Sequence, residues 1–195
     1  MEHNGIASQD DVIHLGGNHP GGSTLSPGPT SPGPTSPGPT DPSRSSGTGH
    51  ANGPAQRIAD LRALLEQGLA EGIGVGHSLG IQLTLLEIGR SVWTLRPSPA
   101  AANAMFTVHG GVIATLMDTA MGSAVYTRLP ADSYYTTLEL KVNFIRPVSL
   151  DGDIVTCEAR AVHVGRRTAT ADAAVTSAQG KLIAHGSCTC LLTPA

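Results

Sequence analysis

Aromatic side chains are scarce in this chain of 195 residues: one tryptophan, three tyrosines and two phenylalanines, 3% in all. Its core must be filled by alanine, valine, leucine and threonine, which pack thin elements closely and suit strands and a small-residue helix. Charged residues are also few, 14% with a net charge of -3. That excludes a basic face for nucleic acid and an acidic interaction tail. No segment reaches the roughly 18 apolar residues that span a bilayer. The N-terminus lacks the basic stretch and apolar run of a secretory signal. A cytoplasmic protein is the expectation. Cysteine is limited to Cys157, Cys188 and Cys190, an odd number in alternating apolar surroundings, which reads as reduced, buried thiols. Cys188 and Cys190 have no nearby Cys/His pair to complete a zinc site, so no metal is expected. The length allows one ordinary domain.

Proline and glycine, by contrast, are concentrated near the N-terminus. The pentad SPGPT occurs three times, over residues 26–30, 31–35 and 36–40, and Gly, Ser, Asn and Pro dominate as far as Pro54. Such a stretch cannot bury enough apolar surface to offset its chain entropy. Residues 1–54 are therefore expected to be a disordered tail, its proline repeats either a plain spacer or a segment that docks in an aromatic groove, and residues 55–195 the folded domain. His3, His14, His19 and His50 are expected to be solvated within the tail.

From Pro54 the apolar residues Ile58, Leu61, Leu64, Leu65 and Leu69 recur at helical spacing, and Gly72 stops the run. Leu79 to Ile88 reads as a strand, Gly89-Arg90 as a turn and Val92 to Leu95 as a second strand. Residues 96–108 are expected to be irregular. A helix follows from Gly110 to about Arg128, then strand patterns over Thr137–Arg146, Val155–Ala161, Ala169–Val175 and Leu182–Leu192. In the first of these, Leu138, Leu140, Val142 and Phe144 alternate with polar residues. The last strands have no helices between them to make parallel crossovers. The order therefore implies an α+β fold, an antiparallel sheet wrapped around one long central helix.

That helix, GGVIATLMDTAMGSAVYT, is apolar on most sides and carries one ionisable carboxylate, Asp118. A buried carboxylate costs several kcal/mol unless paired, hydrogen-bonded or protonated. One use of that cost is packing specificity, and another is to prepare a general base or nucleophile in a cleft. Gly110 and Gly111 open the helix, where backbone N–H groups lack intrahelical partners and carry partial positive charge. Without side chains they let a ligand approach, an oxyanion site in outline. His109 is placed to cap or orient this start. Gly110 and Asp118 are eight residues apart in sequence, roughly 12 Å along a helix. Both cannot act on one carbonyl from one chain: either the substrate lies elsewhere, or the Gly end of one subunit meets Asp118 of another, an arrangement that requires a dimer with two shared sites.

These residues resemble the hotdog-fold acyl-CoA thioesterases, in the phenylacetate-pathway (PaaI-like) branch. The resemblance covers about Leu79 to Leu192 and is most specific at Val108-His109-Gly110-Gly111, Leu116-Met117-Asp118 and the strand from Leu138 that ends in Arg146-Pro147. It implies that the Gly110 N–H polarises a thioester carbonyl and that Asp118 of the partner subunit is base or nucleophile. It further implies that Asn103 helps place the carbonyl or water, and that Thr137, with Thr136 as its neighbour, holds the lytic water. The related branch with Glu on the helix usually has a Thr one turn later; here that position is Gly122, so the hydroxyl must come from the strand. Arg166 and Arg167, with Arg146 behind them, are the expected contacts for the nucleotide end of coenzyme A. Met105, Phe106, Met117 and Met121 are expected in the acyl pocket.

The implied activity is hydrolysis of an acyl-CoA, an aryl-acetyl group among the expected acyl groups, with no cofactor because CoA belongs to the substrate. The implied assembly is a homo-oligomer, a dimer or a dimer of dimers (a homotetramer). Two other readings stand beside it: a hotdog hydratase or dehydratase, and a non-catalytic acyl-CoA binding or regulatory protein.

Overall fold

Pro54 takes the first helical position, where a missing N–H costs nothing, and opens α1 (Pro54–Ala70). The computed structural model describes residues 53–130 and 132–194. The SPGPT repeats and most of the expected tail lie outside them. The apolar stripe expected on α1 is only partly covered, with Leu64 57% exposed. What fastens α1 is Arg57, which is buried. Its guanidinium donates to the carbonyls of Pro130 and Ser133 and lies 4.9 Å from the Tyr126 ring centroid.

A short helix, α2 (Val75–Leu79), takes up Leu79, which was expected in a strand. Gly80 ends α2 with φ +70, a left-handed cap open to a residue without Cβ. The strands follow as β1 (Ile81–Glu87) and β2 (Arg90–Leu95), then a 3-10 turn at Pro99–Ala101 and the long helix α3 (Gly110–Tyr126). After α3 come β3 (Ser133–Phe144), β4 (Val155–Val164), β5 (Thr168–Thr176) and β6 (Leu182–Pro194).

The strands form one six-stranded sheet in the order β1-β2-β4-β5-β6-β3, and each pair is antiparallel. Helix α3 packs on one face of it, as the hotdog architecture requires. Leu116, Met117, Ala120, Met121, Ala124 and Val125 of α3 are buried against Trp93, Leu95, Val155, Cys157, Ala171, Val175 and Cys190 of the sheet. Small side chains allow the close approach: Ser91 Oγ donates to the Ala120 carbonyl at 2.7 Å, and Thr127 Oγ1 accepts from Gly89 N at 2.7 Å. The cysteines are free and buried, and burial pushes the Cys157 thiol up to about 12.

Two features depart from what the apolar pattern of the sequence suggests. Helix α3 is not enclosed on all sides, since Val112, Thr115, Asp118 and Thr119 are half-buried and Gly111 is exposed. Strand β3 also does not alternate evenly. Its register with β6 shifts between Thr137 and Glu139. Leu138 is the extra residue and is 60% exposed. A bulge of one residue reverses the inward and outward phase of a strand. Beyond it Leu140 and Val142 face the core; before it Tyr135 and Thr137 do.

Candidate active site

The first turn of α3 explains each letter of His109-Gly110-Gly111. His109 is the N-cap, and its Nδ1 accepts from Gly111 N at 2.8 Å. A Cβ on Gly111 would lie 3.0 Å from that nitrogen, so glycine makes room for the imidazole. Val112 N and Ile113 N both donate to the His109 carbonyl, at 2.9 and 3.3 Å. The Gly110 N–H is the donor of this turn left without a protein partner among the described residues. A Cβ on Gly110 would meet the tip of the Phe144 ring at 3.2 Å, and that ring is 56% exposed.

Two turns along the same helix, half-buried Asp118 accepts from Thr137 Oγ1 at 2.9 Å. The β3 bulge makes this contact. Without it, the alternation of Leu140 and Val142 would carry Thr136 inward, whereas Thr136 is exposed and Thr137 faces α3. The bulge also turns Tyr135 onto Gly122, one turn beyond Asp118. A Cβ on Gly122 would lie 2.8 Å from the ring carbons Cζ and Cε2 and closer still to Oη. Burial pushes the Tyr135 phenol well above its usual range, and the charge of Asp118 adds to the shift. The phenol therefore stays protonated. Sequence reasoning missed Tyr135 because period-two alternation places it on the opposite face, and nothing local to Leu138 announces a bulge.

Asn103 is committed largely to its own loop. Its Oδ1 accepts from Met105 N at 2.9 Å and Thr107 N at 3.1 Å, and Nδ2 donates to Thr107 Oγ1 at 2.9 Å. The loop carries Met105 and Phe106 outward, each 81% exposed, and Phe106 has φ 56. Met117 and Met121, expected in the same pocket wall, are instead sealed in the core. Asn103, Gly110, Phe144 and Arg146 share a cleft of about 320 Å³, which Asp118 and Thr137 do not line.

The three arginines are not gathered by one chain. Arg146 follows the Phe144 end of β3 and donates to the Leu182 carbonyl. Arg166 and Arg167 are exposed between β4 and β5, and the Arg167 carbonyl accepts from Leu192 N, beside the Tyr135 end of β3. Those ends are separated by roughly 30 Å of strand. A larger depression of about 700 Å³ lies on the sheet face away from α3. It is lined by Lys141, Glu158, Arg160, Asp172 and His185 and holds none of the expected residues. Among the described residues, no three His, Cys, Asp or Glu side chains are placed to hold a metal ion.

Comparison with known proteins decides the family. The family model described as the thioesterase superfamily matches residues 105–184. A conserved protein of Pseudomonas aeruginosa, PA5202, is 33% identical in solved structure, covering 64% of this chain and 98% of its own, with TM-score 0.58. The chain belongs to the thioesterase superfamily. This thioesterase-family hydrolase is 26% identical over 117 residues to the 1,4-dihydroxy-2-naphthoyl-CoA hydrolase of Listeria monocytogenes, 60% of this chain and 94% of that one. It shares its fold with the PaaI protein of E. coli, at 22% identity and TM-score 0.62 over 71% of this chain and 94% of that one. Gly110, Asp118, Thr137 and Tyr135 of the thioesterase fall inside the family match, and Asn103 just outside it. No helix among its described residues is long and apolar enough to cross a membrane.

Proposed function

We propose that this chain hydrolyses an acyl-CoA thioester to the free acid and CoA, in a PaaI-like site shared by two subunits. The observation that carries this reading is the layout of α3: a backbone N–H without a protein partner at Gly110 and a carboxylate held by Thr137 at Asp118. The first suits an oxygen gaining negative charge, the second a proton acceptor. The helix between them is unbroken, so the roughly 12 Å separation stands and one chain cannot apply both groups to one carbonyl.

Strand β3 supplies the means of joining two chains. It closes one edge of the sheet, is 12 residues long and exposes Tyr134, Leu138 and Phe144. A long, apolar edge in a stable protein is normally covered. Antiparallel pairing of β3 with its copy about a two-fold axis runs the Phe144 end of one strand toward the Thr137 end of the other. Gly110, which touches Phe144, then approaches the Asp118 of the partner subunit. The same pairing brings Arg146 toward the partner's Arg166 and Arg167, a basic cluster for the phosphates of CoA.

In the proposed reaction Gly110 N–H polarises the carbonyl. Asp118 takes a proton from water as the water oxygen bonds to the carbonyl carbon. The tetrahedral intermediate collapses with C–S cleavage, and the proton on Asp118 passes to the departing thiolate. No cofactor enters this route. Thr137 donates to Oδ1, leaving Oδ2 free to act as the base. The hydratase reading needs His109 as acid or base, and its Nδ1 is already occupied by Gly111 N at 2.8 Å.

Thiol release across aryl, short, medium and long acyl-CoAs tests the activity. Asp118→Asn is expected to lower kcat by about 10²- to 10⁴-fold with the fold intact. Near-full activity in that variant would remove Asp118 from the site. Single turnover in oxygen-18 water is expected to label only the product acid, and label in the Asp118 carboxylate would replace the base with a nucleophile. Binding of acyl-CoA without turnover would favour a non-catalytic role.

A further inference from the structure

We propose that the Tyr135 phenol holds the lytic water beside Asp118, which makes Tyr135 a catalytic residue of this site. The inference rests on the thioester-hydrolase reading. A water attacking from Asp118 must be held by more than the base that takes its proton, because one hydrogen bond leaves it free to swing about that contact. Thr137 cannot supply the second hold by donation, since its one hydroxyl hydrogen is given to Asp118 Oδ1 at 2.9 Å.

Tyr135 can supply it. The residue lies two positions before Thr137 on the inward face of β3, and the bulge at Leu138 puts both on that face. Its ring rests on Gly122, one turn after Asp118 and on the same flank of α3. The phenol oxygen thus occupies the place a side chain at position 122 would fill, which accounts for glycine there. Among the described residues Oη has no protein hydrogen-bond partner. A partly buried phenol without a partner loses hydrogen bonding that water or a ligand must restore. As a neutral group it donates one hydrogen bond and accepts another, so it fixes a water without competing for the proton that Asp118 removes.

Tyr135→Phe deletes the hydroxyl and keeps the ring on Gly122. Its expected effect is a fall in kcat of about 10- to 100-fold, by the same factor for every acyl-CoA hydrolysed, with KM and the urea midpoint unmoved. Tyr135→Ala should lose at least as much. Adding Gly122→Ser to Tyr135→Ala returns a hydroxyl to the same place from the helix side and should recover part of that loss. Wild-type kcat in Tyr135→Phe overturns the proposal. So does a loss that varies with the acyl group and appears in KM, which would make Tyr135 a pocket wall. A folded double variant no faster than Tyr135→Ala also overturns it. If the wild-type chain releases no thiol from any acyl-CoA, the thioesterase reading falls first and takes this one with it, a result distinct from the others.

Discussion

His109 does its visible work as a helix cap, by accepting a hydrogen bond at Nδ1 from Gly111 N. Any residue with a short side-chain acceptor can do the same. His109→Asn should therefore keep both stability and activity, whereas His109→Ala should cost about 0.5–2 kcal/mol in urea unfolding. Gly110 differs, because its contribution is a backbone hydrogen. It is the first residue of α3 after the cap, a position where proline is well tolerated. His109 has φ -63 and ψ 136, the extended conformation that a residue before proline prefers. The three atoms nearest to a new Cβ all belong to the exposed ring of Phe144, the first at 3.2 Å, and that ring can swing away. Gly110→Pro should thus leave the unfolding midpoint nearly unchanged while deleting the N–H. An oxyanion donor removed this way should lower kcat by about 10²- to 10³-fold. Unchanged turnover would show that the carbonyl is polarised elsewhere.

At the scale of elements, the periodicities of the sequence locate α1, α3 and the strands to within a few residues, and the lack of helices after α3 excludes a parallel sheet. Two features escape that reading. Leu79 is apolar in a helix or a strand alike, and only the left-handed Gly80 assigns it to α2. The β3 bulge is a three-dimensional choice: evenly alternating residues 138–144 imply a phase that Tyr135 and Thr137 do not follow. That is why Thr137 was legible only through family resemblance and Tyr135 not at all. Arg57 raises a separate question of element stability. It holds α1 through bonds to the Pro130 and Ser133 carbonyls and its place over Tyr126, while the leucines of α1 stay half-covered. Charge-assisted bonds of this kind contribute about 1.5–3 kcal/mol. In Arg57→Ala, amide exchange should quicken across Pro54–Ala70 and stay slow in β4 and β5. Equal loss of protection in the sheet would show that α1 is integral to the core.

For the whole molecule, the place of β3 at the end of the strand order and the length of α3 lead to one experiment on assembly. If Gly110 of one subunit serves Asp118 of the next, Gly110→Pro and Asp118→Ala are each inactive for different reasons. A mixed dimer of the two restores one complete site: the Asp118→Ala subunit lends its Gly110 N–H to the intact Asp118 of the other. The second site of that dimer carries both defects. Random re-pairing makes half of the dimers mixed, each with one good site, so co-refolding equal amounts should return about a quarter of wild-type activity. If each chain works alone, the mixture stays as inactive as its parts. Leu138→Lys separates the remaining possibility. A lysine on the β3 edge opposes pairing yet leaves the Asp118–Thr137 contact on the other face of the strand. It should sediment as a monomer and lose turnover, and a fully active monomer would place the complete site within one chain.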